Sequence, residues 1–328
     1  MFDYKGMTEE ELKVLCDKKS VNRGKAKWLH WPSEVYSFGF HLRDFAFFPK
    51  ELPLNVYSEH GIGTPNIGLN EINNDAAFMF VFADDKLKNY KEKTNKPVYK
   101  ILSPFVWYKK KNKIKQSPDA KGTLVFPAHS IPEEDTLLDW DKYIEQLKSL
   151  PEKMHPICAC FHMHDINKEE KIYKKFMDAG ISVYTAGNVF DVRFAQRFYD
   201  ILKNFKYTSS NTIGSYAFYS VDFGIPFFIY GNEPSYKNVS NPYNGNENAG
   251  VGKIYNVSSY EEIYNRQQKF VISPFDEEIT ITKEQKTLAD YCLGINNHIS
   301  RFKMCFLLYW AFLKYTFTKV KMLWKKTK

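Results

Sequence analysis

Several things are missing from this chain of 328 residues, and each absence closes off a class of function. No apolar run approaches the roughly 20 residues needed to cross a bilayer, which excludes a polytopic membrane protein. Met1 to Leu12 is acidic and polar, without the basic-then-apolar order of a secretory leader, so a cytoplasmic protein is expected. Gly-x-x-x-x-Gly-Lys-Ser/Thr does not occur, and Gly61, Gly63 and Gly68 overshoot the Gly-x-Gly-x-x-Gly spacing. Phosphate-loop NTPases and nicotinamide chemistry are therefore disfavoured. Cysteine is sparse and odd in number (Cys16, Cys158, Cys160, Cys292 and Cys305), which argues against a disulfide framework and for a reducing compartment. Residues 301 to 328 lack any acidic side chain but hold eight basic ones, so the formal net charge of +8 leaves residues 1 to 300 neutral. A nucleic-acid binder would carry its basic surface on the folded body, and no nucleic-acid partner is expected. Internal repeats are also missing.

An apolar content of 44%, with 17% aromatic, gives ample material for proper cores, and the length calls for two domains. A short amphipathic helix at 8 to 18 precedes a basic loop. Extended pieces then follow at 52 to 57, 77 to 83 and 99 to 106, with a helical stretch at 84 to 93. The charged, proline-bearing stretch 108 to 121 reads as a linker. Three regions result: 1–115, 116–275, and 276–328, the last helical with a basic tail. In the tail, Met304 to Leu313 is uncharged but too short to span a bilayer. Two accounts stand: a basic, aromatic helix lying on an anionic membrane, or a final helix packed on the body with a lysine fringe.

From residue 122 the rhythm is regular. Strands at 122–127, 156–161 and 181–184 alternate with helices at 139–150, 168–179 and 191–205, which implies right-handed crossovers and a parallel sheet. Ligands of such sheets bind at the carboxyl ends of strands. Four polar clusters fall there: Pro127 to Ser130 with His129, His162 to Asp165 with His164, Thr185 to Asn188 with Ala186 and Gly187, and Thr208 to Asn211. In the last, Ser209, Ser210, Asn211 and Thr212 precede an apolar-periodic stretch, predicting a helix from about Ile213 whose first-turn N–H groups, with nearby hydroxyls, suit a phosphate. Gly214 would let a ligand approach the backbone closely; a good N-cap and nothing more is the plain alternative. Gly224 to Pro226 stops that helix. Residues 232 to 275 look loop-rich, with a mobile surface loop at 241–248.

Cys158, Cys160, His162 and His164 alternate along one strand face, about 6.5 to 7 Å apart, and cannot converge on one metal. No metal site is expected. In the first domain a strand runs into Glu59, His60, Gly61 and Gly63. Either His60 or Glu59 would serve as a general base, unless the turn is only a turn.

On Phe126 to Ser130, His162 to His164, Ser209 and Ser210 opening a helix, and Gly224 to Pro226, residues 122 to 231 resemble the donor-binding half of a GT-B glycosyltransferase of bacterial capsule and lipopolysaccharide assembly. They share features with the sialyltransferase and polyglycerol-phosphate transferase branches. His60-Gly61 is similar to the His-Gly turn of the latter branch. Departures are visible: His164 is followed by Asp165 where the sialyltransferase pattern has proline, and its acidic-acidic-glycine element appears only as Glu59 to Gly61. The resemblance implies an α/β fold of two Rossmann-like domains with a cleft between them. It implies a nucleotide-sugar donor on the second, held by His129, Ser130, His162, His164, Ala186, Gly187, Asn188 and the 209–215 segment, and a glycan or glycolipid acceptor on the first. A cofactor is not expected. The absence of a suitably placed metal-binding Asp-x-Asp accords with that class, which meets leaving-group charge with helix dipoles and side chains. The tail would hold the enzyme at the inner face of the cytoplasmic membrane. A nucleotide-sugar epimerase, a glycerol-phosphate-type transferase and a non-catalytic membrane scaffold remain alternatives.

Overall fold

A computed structural model describes residues 2–65, 67–130, 134–238 and 257–326; the loop expected at 241–248 lies outside them. The helices are α1 (Glu9–Cys16), α2 (Phe38–Phe45), α3 (Leu69–Asn73), α4 (Asp84–Lys93), α5 (Pro104–Lys111), α6 (Trp140–Lys148), α7 (Met163–Asn167), α8 (Ile172–Asp178), α9 (Phe194–Leu202), α10 (Ser215–Phe223), α11 (Val257–Gln268), α12 (Lys283–Cys292) and α13 (Arg301–Lys326). The strands are β1 (Tyr57–Ser58), β2 (Met79–Val81), β3 (Val98–Lys100), β4 (Thr123–Val125), β5 (Glu134–Leu137), β6 (Ile157–Cys160), β7 (Ser182–Tyr184), β8 (Tyr207–Ser210), β9 (Phe227–Ile229) and β10 (Ser235–Asn238). Two compact units result. One comprises Met1–Val21, Lys113–Val189 and Phe194–Asp290; the other comprises Asn22–Asn112, Phe190–Arg193 and Tyr291–Lys328.

The first unit is built on five parallel strands in the order β7-β6-β4-β8-β9. Renumbered from its own first strand, that order is 3-2-1-4-5, a doubly wound sheet whose direction reverses between β4 and β8. β4 and β6 are buried at every position, as strands covered on both faces must be. α6 shows how the helices are placed: Asp139 caps its first turn by accepting from Lys142 N at 3.0 Å, and Tyr143, Ile144 and Leu147 form its buried stripe. α10 ends where Gly224 turns left-handed at φ +93, with Gly224 N and Ile225 N donating to the Val221 and Ser220 carbonyls. A separate antiparallel ladder pairs β5 with β10, Leu137 opposite Ser235.

Residues 2–21 belong to this unit and not with 22–112, unlike the first region drawn from the sequence. Hydrogen bonding is the reason. Met7 N donates to Val183 O at 2.8 Å, Gly6 N to Tyr184 Oη at 3.1 Å, and the Phe2 ring stacks on Tyr184. α1, opened by a reciprocal Thr8–Glu11 capping box, then covers the turn after β7.

The second unit holds β1-β2-β3, all parallel. Its central strand β2 is fully buried. Around it, Arg43 and Glu34, both about 95% or more buried, meet in a two-pronged pair at 2.7 and 2.8 Å. α13 packs here through Met304, Leu307, Leu308 and Ala311, and Asn55 Nδ2 donates to the Ala311 carbonyl at 3.1 Å. Burying each of those long side chains contributes about 1.5–3 kcal/mol. Two local expectations change. Residues 103 to 106 do not extend β3: Pro104 sits in the first turn of α5, where its missing N–H costs nothing. Residues 108 to 111 complete that helix, so the linker begins after it.

Candidate functional site

In the five-stranded unit, the turn after β4 and the turn after β8 meet at the point where strand order reverses. Ala128 N donates to Asn211 Oδ1 at 2.9 Å, and Asn211 Nδ2 donates onward to Asn232 O at 3.1 Å. Beside this tie, the end of β6 contributes His162, the N-cap of α7, whose Nδ1 accepts from His164 N at 3.4 Å. The imidazoles of His129, His162 and His164 form one row, with ring centroids 4.4 and 4.9 Å apart. Burial drives the His162 imidazole well below its ordinary range, with His129 and His164 adding repulsion. Burial, His129 and Lys18 lower His164 to about 4. His162 Nε2 is buried without a hydrogen-bond partner. An anion seated on this row would supply the partner that the buried His162 Nε2 lacks.

Asp165, 8% exposed, accepts from Ser130 N at 3.1 Å, while Ser130 Oγ accepts from Thr136 N. Burial pushes the Asp165 carboxyl up. Ser130 and Asp165 also line a cavity of about 600 Å³ with Thr136, Asp139, Trp140 and Glu233. The charged part of its wall is mainly acidic, and its lysine, Lys168, is paired with Asp135. The cavity therefore suits a neutral, hydroxyl-rich group better than a second anion.

Other expected residues sit differently. α10 starts at Ser215, not Ile213, because Gly214 is extended and serves as N-cap without a side-chain cap. Ser209 and Ser210 are inside β8 and wholly buried; Ser209 Oγ has no partner, and Ser210 Oγ is 2.9 Å from Tyr216 Oη. Tyr216 stacks on Phe126 at 4.8 Å, and its hydroxyl donates to Thr212 O, so it roofs the loop. A Cβ at Gly214 would come within 2.6 Å of that ring. The two serines thus hold Tyr216 and the sheet, leaving half-buried Thr212, Gly214 and Ser215 at the helix start. Ala186, Gly187 and Asn188 are buried beneath α1 and do not line a base pocket. Asn188 N donates to Leu15 O at 2.8 Å, and Asn188 Nδ2 to Cys16 O at 3.0 Å. Cys158 and Cys160 are buried, their thiols pushed up to about 12 by burial. Among the described residues no group of three or more His, Cys, Asp or Glu is arranged for a metal ion.

In the three-stranded unit the chain leaves β1 as Glu59 and His60. Glu59 is 2% exposed, and its Oε2 accepts from Phe82 N, just past β2, at 2.8 Å. Burial pushes its carboxyl up to about 8, against the pull of Lys86. His60 is half-buried, with the exposed Trp31 ring 4.8 Å away. Burial lowers it to about 4, so it is neutral at physiological pH, and its Nδ1 is buried without a partner. Lys86, from the first turn of α4, is 3% exposed and pairs with Glu71 at 3.4 Å. Glu59 thus joins the ends of β1 and β2, while His60 is the less buried of the two. Lys86, Glu71, Asp165, Thr136 and Trp140 were missing from the sequence-derived set. The Asp84 to Lys86 helix start and the Asp139 cap before Trp140 were the available signals.

No family model matches the chain, and no curated protein does. Among solved structures, the wall teichoic acid polymerase TagF, soaked with CDPG, aligns over 94% of each chain at 9% identity and a TM-score of 0.37. Likeness that faint carries no argument about this chain.

Proposed function

We propose that the protein is a GT-B-type glycosyltransferase that moves a sugar from a nucleotide-sugar donor to a glycan or glycolipid acceptor in surface-polysaccharide or lipopolysaccharide biosynthesis. The supporting observation is the orphaned His162 Nε2 within the imidazole row, at the strand-order reversal of a doubly wound sheet. The donor phosphate rests against His129, His162 and His164, with the start of α10 adding backbone N–H groups. The cavity at Ser130, Asp165 and Trp140 receives its hydroxyl-bearing portion. His60 takes the acceptor hydroxyl's proton as that oxygen displaces the leaving group at the anomeric carbon. Leaving-group charge is met by imidazoles and backbone dipoles, without a resident metal or cofactor. The inner face of the cytoplasmic membrane is the workplace in this reading, reached through residues 301–328.

The test is release of nucleotide from a panel of nucleotide sugars, with and without lipid-linked acceptors. Acceptor-dependent release that collapses in His162→Gln and His60→Gln supports the proposal. Isomerisation of the sugar without acceptor would make the protein an epimerase instead, and transfer of glycerol phosphate from an activated glycerol donor would move it to that branch.

A further inference from the structure

The basic segment becomes, in three dimensions, a helix with two apolar faces. Met304, Leu307, Leu308 and Ala311 are at most 5% exposed and close the core of their own unit. Phe302, Phe306, Leu313, Phe317, Val320 and Trp324 are 51 to 86% exposed. At 3.6 residues per turn these six fall within an arc of about 60° opposite the buried face, in a stripe roughly 33 Å long. Lys303, Lys314 and Lys321 border the stripe along one side. No described helix is long and apolar enough to cross a membrane.

We infer that this outward stripe of α13 lies flat in the interface of an anionic membrane, with its aromatic side chains at the boundary of headgroups and acyl chains and its lysines at the headgroups. A second copy of the chain is the competing occupant, and charge decides against it. Helix pairing would set lysine against lysine, with no acidic residue in 301–328 to relieve the repulsion. Anionic headgroups supply the missing charge, and aromatics with interleaved lysines suit an interface better than a coiled-coil seam. The inference sharpens the membrane side of the proposed function and stands independently of the transferase chemistry.

The experiment is flotation of the purified full-length chain with phosphatidylcholine/phosphatidylglycerol vesicles and with pure phosphatidylcholine vesicles. Partition onto the anionic vesicles is expected, weakened by salt and lowered at least about tenfold in Phe306→Ser/Phe317→Ser, both exposed positions. Lys314→Gln and Lys321→Gln should each lower it about fivefold, on anionic vesicles only. Should the serine variant misfold, brominated acyl chains quenching wild-type tryptophan fluorescence, less so in Trp324→Phe, replace it. Absence of partition, or equal partition of a folded serine variant, overturns the inference. So does a wild-type dimer that the same substitutions dissociate. Loss of vesicle binding with soluble-acceptor transfer intact separates this inference from the enzymatic one.

Discussion

Glu59→Gln separates a catalytic from an architectural carboxylate at the end of β1. The wild-type side chain is 2% exposed, and burial lifts its carboxyl from an ordinary 4.5 to about 8. That interval corresponds to roughly 5 kcal/mol between the protonated and ionised forms, an upper figure because buried sites relax. The folded value lies above the unfolded one, so the contribution is fully present below pH 4.5 and is lost as pH rises through about 8. Glutamine keeps an oxygen for the Phe82 N–H but cannot ionise. The two proteins should therefore unfold alike near pH 5, and the variant should be the more stable at pH 9 by several kcal/mol. Urea denaturation at each pH measures the difference. On the proposed mechanism, which gives the base role to His60, transfer by Glu59→Gln should stay within severalfold of wild type, whereas His60→Gln should lose about 10²- to 10⁴-fold. A pH-independent difference in stability would refute the burial argument, and abolished transfer in a folded Glu59→Gln would return the base role to Glu59.

Lowered imidazoles work in the opposite sense: His162 and His164 contribute stability above their ordinary range that is lost as pH falls, toward about 4 for His164. A nucleoside diphosphate should therefore protect wild type from acid unfolding, and should not protect His162→Gln; equal protection in thermal scans would remove the anion from the imidazole row. Arg43→Leu strands the buried Glu34 carboxylate and should cost about 3–5 kcal/mol by urea denaturation, with Glu34→Gln/Arg43→Met recovering part of it. A loss below about 1 kcal/mol would mean that water reaches the pair. Gly187 has φ +84, and an added Cβ would stand 2.9 Å from Leu15 O. Gly187→Ala should lower stability by more than about 1 kcal/mol and quicken proteolysis before residue 22; an unchanged cleavage rate would show that α1 is not anchored there.

The strand and helix alternation between 122 and 205 was legible because each element carries its own period, as α6 does with Tyr143, Ile144 and Leu147. The positions of His129, His162 and His164 followed, since a strand end can be read locally. Events that join distant segments were not legible. Nothing near Ala186, Gly187 and Asn188 announces that α1 will cover them. The polar sequence of β5 gives no hint of a partner a hundred residues on. Pro104 looks the same in an extended strand as in a first helical turn, and Ser210 reads as a cap until Tyr216 takes its hydroxyl. Burial, likewise, is what separates Glu59 from His60, and adjacent residues do not disclose it.

The interrupted path of the chain matters at the ribosome. Residues 22–112 emerge early, yet the helix that seals their apolar face, α13, is made only after 113–290 have been synthesised. Until then, the surface awaiting Met304, Leu307, Leu308 and Ala311 is open to water and to other nascent chains. A polypeptide released before residue 301 would lack that seal, so truncation ahead of α13 should yield aggregates caught by chaperones, even with every described strand present.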